Sequence, residues 1–144
     1  MKFHHRALMA AVACAAAGLS TAAWAETRIS VKLTGEEHEM MGAELSQSTV
    51  PAGPVEFDVV NAAAKTGHEM IVIKLKSRTE KLAVVPGTGR VDEKTLQSLG
   101  EVSKLKPGMG GTLKATLTPG DYLVFCNHKG HYEAGMEAAL TVTP

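Results

Sequence analysis

Cys126-Asn127-His128-Lys129-Gly130-His131-Tyr132-Glu133-Ala134-Gly135-Met136 runs between two apolar stretches, residues 122–125 and residues 138–142. Both flanks read as strands: the first is continuously apolar, and in the second Ala138, Leu140 and Val142 alternate with Thr141 and Thr143. The connection therefore puts Cys126 at the end of one strand, Met136 at the start of the next and His131 between them, with three sulfur or imidazole donors at one end of a sheet. Gly130 and Gly135 stand directly before His131 and Met136, where tolerance of positive φ lets a tight loop turn each side chain inward. Donors this close in sequence need a partner from elsewhere to close a cage. His68 supplies it, following the turn Lys65-Thr66-Gly67 and opening the strand that begins at Glu69.

Working outward, period-two alternation dominates. Ile29, Val31 and Leu33 alternate with polar neighbours, as do Val55, Phe57 and Val59, and then Leu113, Ala115 and Leu117. Residues 70–75 are more continuously apolar and suit a central strand packed on both faces. Turn signals separate these runs, among them Pro51-Ala52-Gly53-Pro54, Pro86-Gly87, Pro107-Gly108 and Pro119-Gly120-Asp121. Short strands at this spacing predict an all-β sandwich or small barrel. Asp92 is placed to cap a helix through Leu96 and Leu99 that Gly100 would stop, so a short helix is expected over residues 92–99, inside a long connection from about residue 78 to 110.

The chain opens with Lys2 and Arg6, an apolar run over residues 7–17, and small residues ending Ala23-Trp24-Ala25 before Glu26. That order is expected of a secretory signal peptide, residues 1–25, cleaved after Ala25 to leave residues 26–144 as one domain. The apolar run is shorter than the roughly 20 residues that span a bilayer, so no stable membrane insertion is expected. A lipid anchor on Cys14 is the weaker reading, since Ala11 stands where such a signal prefers Leu. Cleavage leaves 13 of the 15 Lys and Arg against all 15 Asp and Glu, a formal charge of −2 that speaks against nucleic-acid binding.

Only Cys126 then remains, in a compartment where thiols oxidise, and it cannot form a disulfide within its own chain. It is left to be an inert buried thiol, an intermolecular crosslink or a thiolate held by a metal. Singly, Cys126, Met136 and His68 read as packing or turn residues. Together, a thiolate, two imidazoles and a thioether select copper, because soft sulfur donors favour it and zinc gains little from Met136. His128 competes with His131 as a ligand, but the glycine before His131 favours the latter, and a Cys-x-His pair would place His128 awkwardly close to the strand end.

With its Cys-x4-His-x4-Met loop and upstream His, the chain resembles the cupredoxins, the plastocyanin- and azurin-like type 1 blue-copper proteins, over most of residues 27–144. The resemblance implies a Greek-key β-sandwich with one mononuclear type 1 copper, His68, Cys126 and His131 equatorial and Met136 axial. In that family the residue after the upstream His is often Asn or Ser; here it is Glu69. The expected function is a periplasmic or otherwise exported one-electron carrier cycling Cu(I)/Cu(II), without enzymatic activity. It would dock a redox partner protein where His131 nears the surface, beside a rim of Met70, Met109, Tyr132 and Ala134. The alternative is copper tolerance, sequestration or delivery to a copper-trafficking protein. For that role Glu37-His38-Glu39-Met40-Met41 offers His38, Met40 and Met41 as a possible second, weaker copper site, its plainer reading being a solvated turn.

Overall fold

The computed structural model describes residues 25–144. The expected signal peptide lies almost wholly outside the described residues. Eleven strands run through the described part in chain order: β1 (Thr27–Thr34), β2 (Gly42–Leu45), β3 (Thr49–Pro51), β4 (Gly53–Asn61), β5 (His68–Lys74), β6 (Val84–Val85), β7 (Arg90–Val91), β8 (Gln97–Leu105), β9 (Gly110–Leu117), β10 (Gly120–Phe125) and β11 (Glu137–Thr143). They form a four-stranded sheet ordered β2-β1-β4-β9, a five-stranded sheet ordered β3-β11-β10-β5-β8, and the separate hairpin β6-β7. Two pairings are parallel, β1 with β4 and β3 with β11, and the rest are antiparallel. The sandwich expected from the alternation is therefore present.

Parity builds the core. Ile29, Val31 and Leu33 from β1 and Val55, Phe57 and Val59 from β4 meet Met70, Val72, Tyr122, Val124, Leu140 and Val142 from the opposite sheet. The other faces of β5 and β10 are also buried: Ile71, Ile73, Leu123 and Phe125 form a second cluster with Leu82 and Val91, flanked by Leu75, Val84 and Leu96. Residues 75–96 thus lie over the outer face of the five-stranded sheet, which explains why residues 70–75 and 122–125 are apolar without alternation. At the far end of β10 the hydroxyl of Tyr122 donates to Thr118 O at 2.8 Å and accepts from Thr118 N at 3.1 Å, fixing the corner into that strand.

The helix expected over residues 92–99 is not formed. Asp92 does cap, its carboxylate accepting from Lys94 N at 3.1 Å, but it caps only a single 3-10 turn, Glu93–Thr95, and Leu96 is already extended. Residues from Gln97 onward join the open edge of β5 as β8. A ladder on a strand buried on both faces wins over one helical turn with no buried residue. Gly100 is not a helix stop but part of an irregular ladder, at φ 140° opposite Val72. The expected connection of residues 78–110 accordingly contains β6, β7 and β8.

Candidate metal centre

His68 is the first residue of β5 and pairs with Leu105. The turn before it is held from beneath by Asn61, fully buried at the end of β4: its Nδ2 donates to Thr66 O and Leu105 O, both at 2.8 Å, and its Oδ1 accepts from Ala63 N at 2.9 Å. From above, the Glu36 carboxylate accepts from the Thr66 hydroxyl at 2.7 Å and from the backbone N–H groups of residues 64–66. Those donors, the hydroxyl first, hold the Glu36 carboxyl below the usual carboxylate range.

Next to Glu36, the carbonyl of Gly35 lies 3.1 Å from His68 Nε2. A carbonyl only accepts, so Nε2 carries the proton and Nδ1 is left with a free lone pair. That Nδ1 faces His131 Nδ1 at 3.2 Å, and His131 Nδ1 lies 3.3 Å from Cys126 Sγ. The ligand atoms of His68, Cys126 and His131 all fall within 4.8 Å of one another. Strand β10 delivers Cys126, and a compact loop delivers His131: His131 N donates to His128 O, Ala134 N to Gly130 O, and Met136 N back to His131 O, each at 2.9–3.0 Å. Gly130 and Gly135 adopt φ 80° and 92°, as the tight loop requires.

Cys126, His68 and Met136 have no exposed surface, and His131 is 6% exposed. Burial pushes the Cys126 thiol up to about 11 against the N–H groups of His128 and Glu69, and pushes His131 down to about 4. Burial likewise lowers His68. Without a cation the cluster is therefore neutral, its thiol protonated. Two imidazole nitrogens beside a sulfur, with no carboxylate oxygen in the group, fit a soft or borderline cation and not a hard one. Glu69 N donates to Cys126 Sγ at 3.4 Å, a bond that favours the thiolate a metal would bind.

Met136 is brought beside Cys126, whose N–H donates to Met136 O at 3.2 Å, and its side chain lies in the main core cluster with that of Cys126. His128 stands outside the three-donor group: its Nε2 lies 3.7 Å from Glu69 Oε2, with the ring centroid 5.3 Å from that of His131. Of the possible second site, His38 and Met40 are exposed, Met40 at 90%, whereas Met41 is buried in the main core; His38 and Met41 border one surface cavity. Met70 does not belong to a surface rim, being fully buried; Met109 is half exposed and Ala134 half-buried. A surface cavity of about 720 Å³, lined by Glu37, His38, Glu39, Glu133 and Ala134 among others, reaches His131. Sequence reasoning passed over Gly35, Glu36, Asn61 and Asn127; only Asn127, adjoining Cys126, carried any local signal.

No protein-family model and no curated protein matches the chain. Solved structures do. An auracyanin from Roseiflexus castenholzii is 18% identical, covering 83% of this chain and 97% of its own at a TM-score of 0.55. Auracyanin B is 25% identical over 83% and 90%, with a TM-score of 0.54. Rusticyanin from Thiobacillus ferrooxidans is 14% identical over 82% and 77%, with a TM-score of 0.61. The fold is that of the cupredoxins. Within it, His68, Cys126 and His131 form a buried three-donor cluster suited to a metal.

Proposed function

We propose that this chain is an exported one-electron carrier holding one type 1 copper through His68, Cys126 and His131, with Met136 as the weak axial ligand. The carrying observation is the convergence of two imidazole nitrogens and one sulfur within 4.8 Å in a buried pocket. Likeness to rusticyanin, which is described as a copper protein, supports the choice of metal. When bound, the ion would supply a Cu(I)/Cu(II) couple. The chain's own part is to keep His68 Nδ1 deprotonated through Gly35, to aim an N–H at the Cys126 sulfur, and to exclude water by burial. Four protein donors leave no open position for a substrate, which supports a carrier over an enzyme. His131, where the cavity reaches the site, is the point at which a redox partner would dock. Such encounters are small and short-lived.

The deciding experiment is an absorption spectrum of the protein with added Cu(II). Intense visible bands from thiolate-to-copper charge transfer, lost in Cys126→Ser, are expected; a colourless protein that prefers zinc would overturn the assignment. Export is tested by the mass of the protein recovered from the cell envelope, which should begin at Glu26.

A second reading, copper sequestration or delivery, is favoured by His38 and the 90%-exposed Met40 on the loop beside the same cavity. Here two ions per chain are expected, with loss of the second on replacing His38 and Met40; one ion with fast reversible redox cycling returns the reading to a carrier.

A further inference from the structure

Resting on the copper reading above, we propose that residues 75–96 act as a brace on the metal-ligand loop, and that Asn127 is the positioning residue through which the brace holds Cys126 and His131. Asn127 adjoins Cys126 directly and is 2% exposed. Its carboxamide copies a strand pairing against β7: Val91 N donates to Oδ1 at 2.7 Å, and Nδ2 donates to Val91 O at 3.0 Å. The same Nδ2 donates to Glu93 Oε1 at 2.7 Å. Its backbone N–H donates to Glu69 Oε1 at 3.2 Å, so the residue after one ligand is tied to the residue after another. Every polar group of this side chain is used, and all the side-chain partners lie in one segment more than thirty residues away.

Two further bonds join that segment to the loop. Gly130 N, next to His131, donates to Gly89 O at 2.8 Å, an approach so close that a Cβ on Gly89 would stand 3.1 Å from Gly130 N. Leu82 N donates to the Tyr132 hydroxyl at 3.2 Å, while the Tyr132 ring meets Phe125 edge to face at 5.7 Å. Asn127, Gly130 and Tyr132 are thus each pinned from the same side, and the pinning segment is anchored by its own apolar cluster. A loop fixed at three points has few alternative shapes when the charge of a bound ion changes, so the brace would limit ligand rearrangement.

The test compares Asn127→Ala, Asn127→Asp, the double variant Asn127→Asp with Glu93→Gln, and Tyr132→Phe with the parent. Readouts are Cys126 alkylation by iodoacetamide in the metal-free protein, Cu(II) transfer to a chelator, and reduction potential. Loss of the carboxamide should speed alkylation and copper release by about 10- to 100-fold. Tyr132→Phe, which removes one hydroxyl and keeps the ring, should act in the same direction and less. In Asn127→Asp two carboxylates face each other; Glu93→Gln restores a donor, and the double variant should recover part of the loss. A parent that shows no thiolate–copper bands refutes the copper reading itself. A parent with bands, beside a folded Asn127→Ala whose alkylation, release and potential are unchanged, refutes the brace. Should Asn127→Ala fail to fold, Tyr132→Phe decides: parental rates in that variant overturn the proposal.

Discussion

The Nδ1 atoms of His68 and His131 lie 3.2 Å apart, although 63 positions separate them in the chain. Two imidazoles cannot share that spacing as cations, and burial already disfavours protonation of each. In the unfolded chain a histidine takes its proton near 6.5, whereas folded His131 resists until about 4. Between those values the unfolded state binds more protons and gains as pH falls. Metal-free protein should therefore lose melting temperature steadily as pH drops from 6.5 towards 4, with a shallower slope in His131→Asn. A flat profile for the parent across that window would contradict the buried, neutral pair.

On the proposed copper reading, Met136→Gln should retain copper and shift its reduction potential, because an axial ligand would tune a site that the three other donors anchor. Voltammetry together with metal content decides this, and complete loss of copper from the variant would contradict the weak axial role.

Asn61 satisfies three backbone groups beneath the turn that carries His68. Asn61→Ala strands the buried carbonyls of Thr66 and Leu105 and should cost about 3 kcal/mol, the upper part of the range for orphaned buried polar groups. Urea unfolding of the metal-free protein measures it; a change below about 0.5 kcal/mol would mean that water replaces the amide.

Gly100 sits at φ 140°, where an added Cβ would stand 2.7 Å from Leu113 Cδ1. Gly100→Ala should therefore destabilise by about 1–3 kcal/mol through backbone strain and the clash. Thermal unfolding measures it, and an unchanged melting temperature in Gly100→Ala would contradict the close approach to Leu113.

Much of this molecule is legible along the chain. The candidate donor cluster stands out because Cys126, His131 and Met136 fall within eleven residues between two recognisable strands, and His68 comes directly after a turn signal. Parity holds more than the alternation of single strands: His68 is inward, so Met70 and Val72 share its face and belong in the core, which removes Met70 from any surface rim. The hidden features depend on contacts across the fold. A glycine after an apolar pair reads as a helix stop or a strand irregularity, and only the open edge of β5 selects between them. Asn127 gains its role from Val91, and Glu36 from the backbone of residues 64–66, partners that no local pattern announces.

The sulfur of Cys126 has no surface of its own, and enclosure keeps its proton in place. An unloaded molecule thus presents neither a nucleophile to small oxidants nor a handle by which two copies could be crosslinked. On the proposed export and copper reading, that enclosure would let the empty protein persist in an oxidising compartment until an ion arrives.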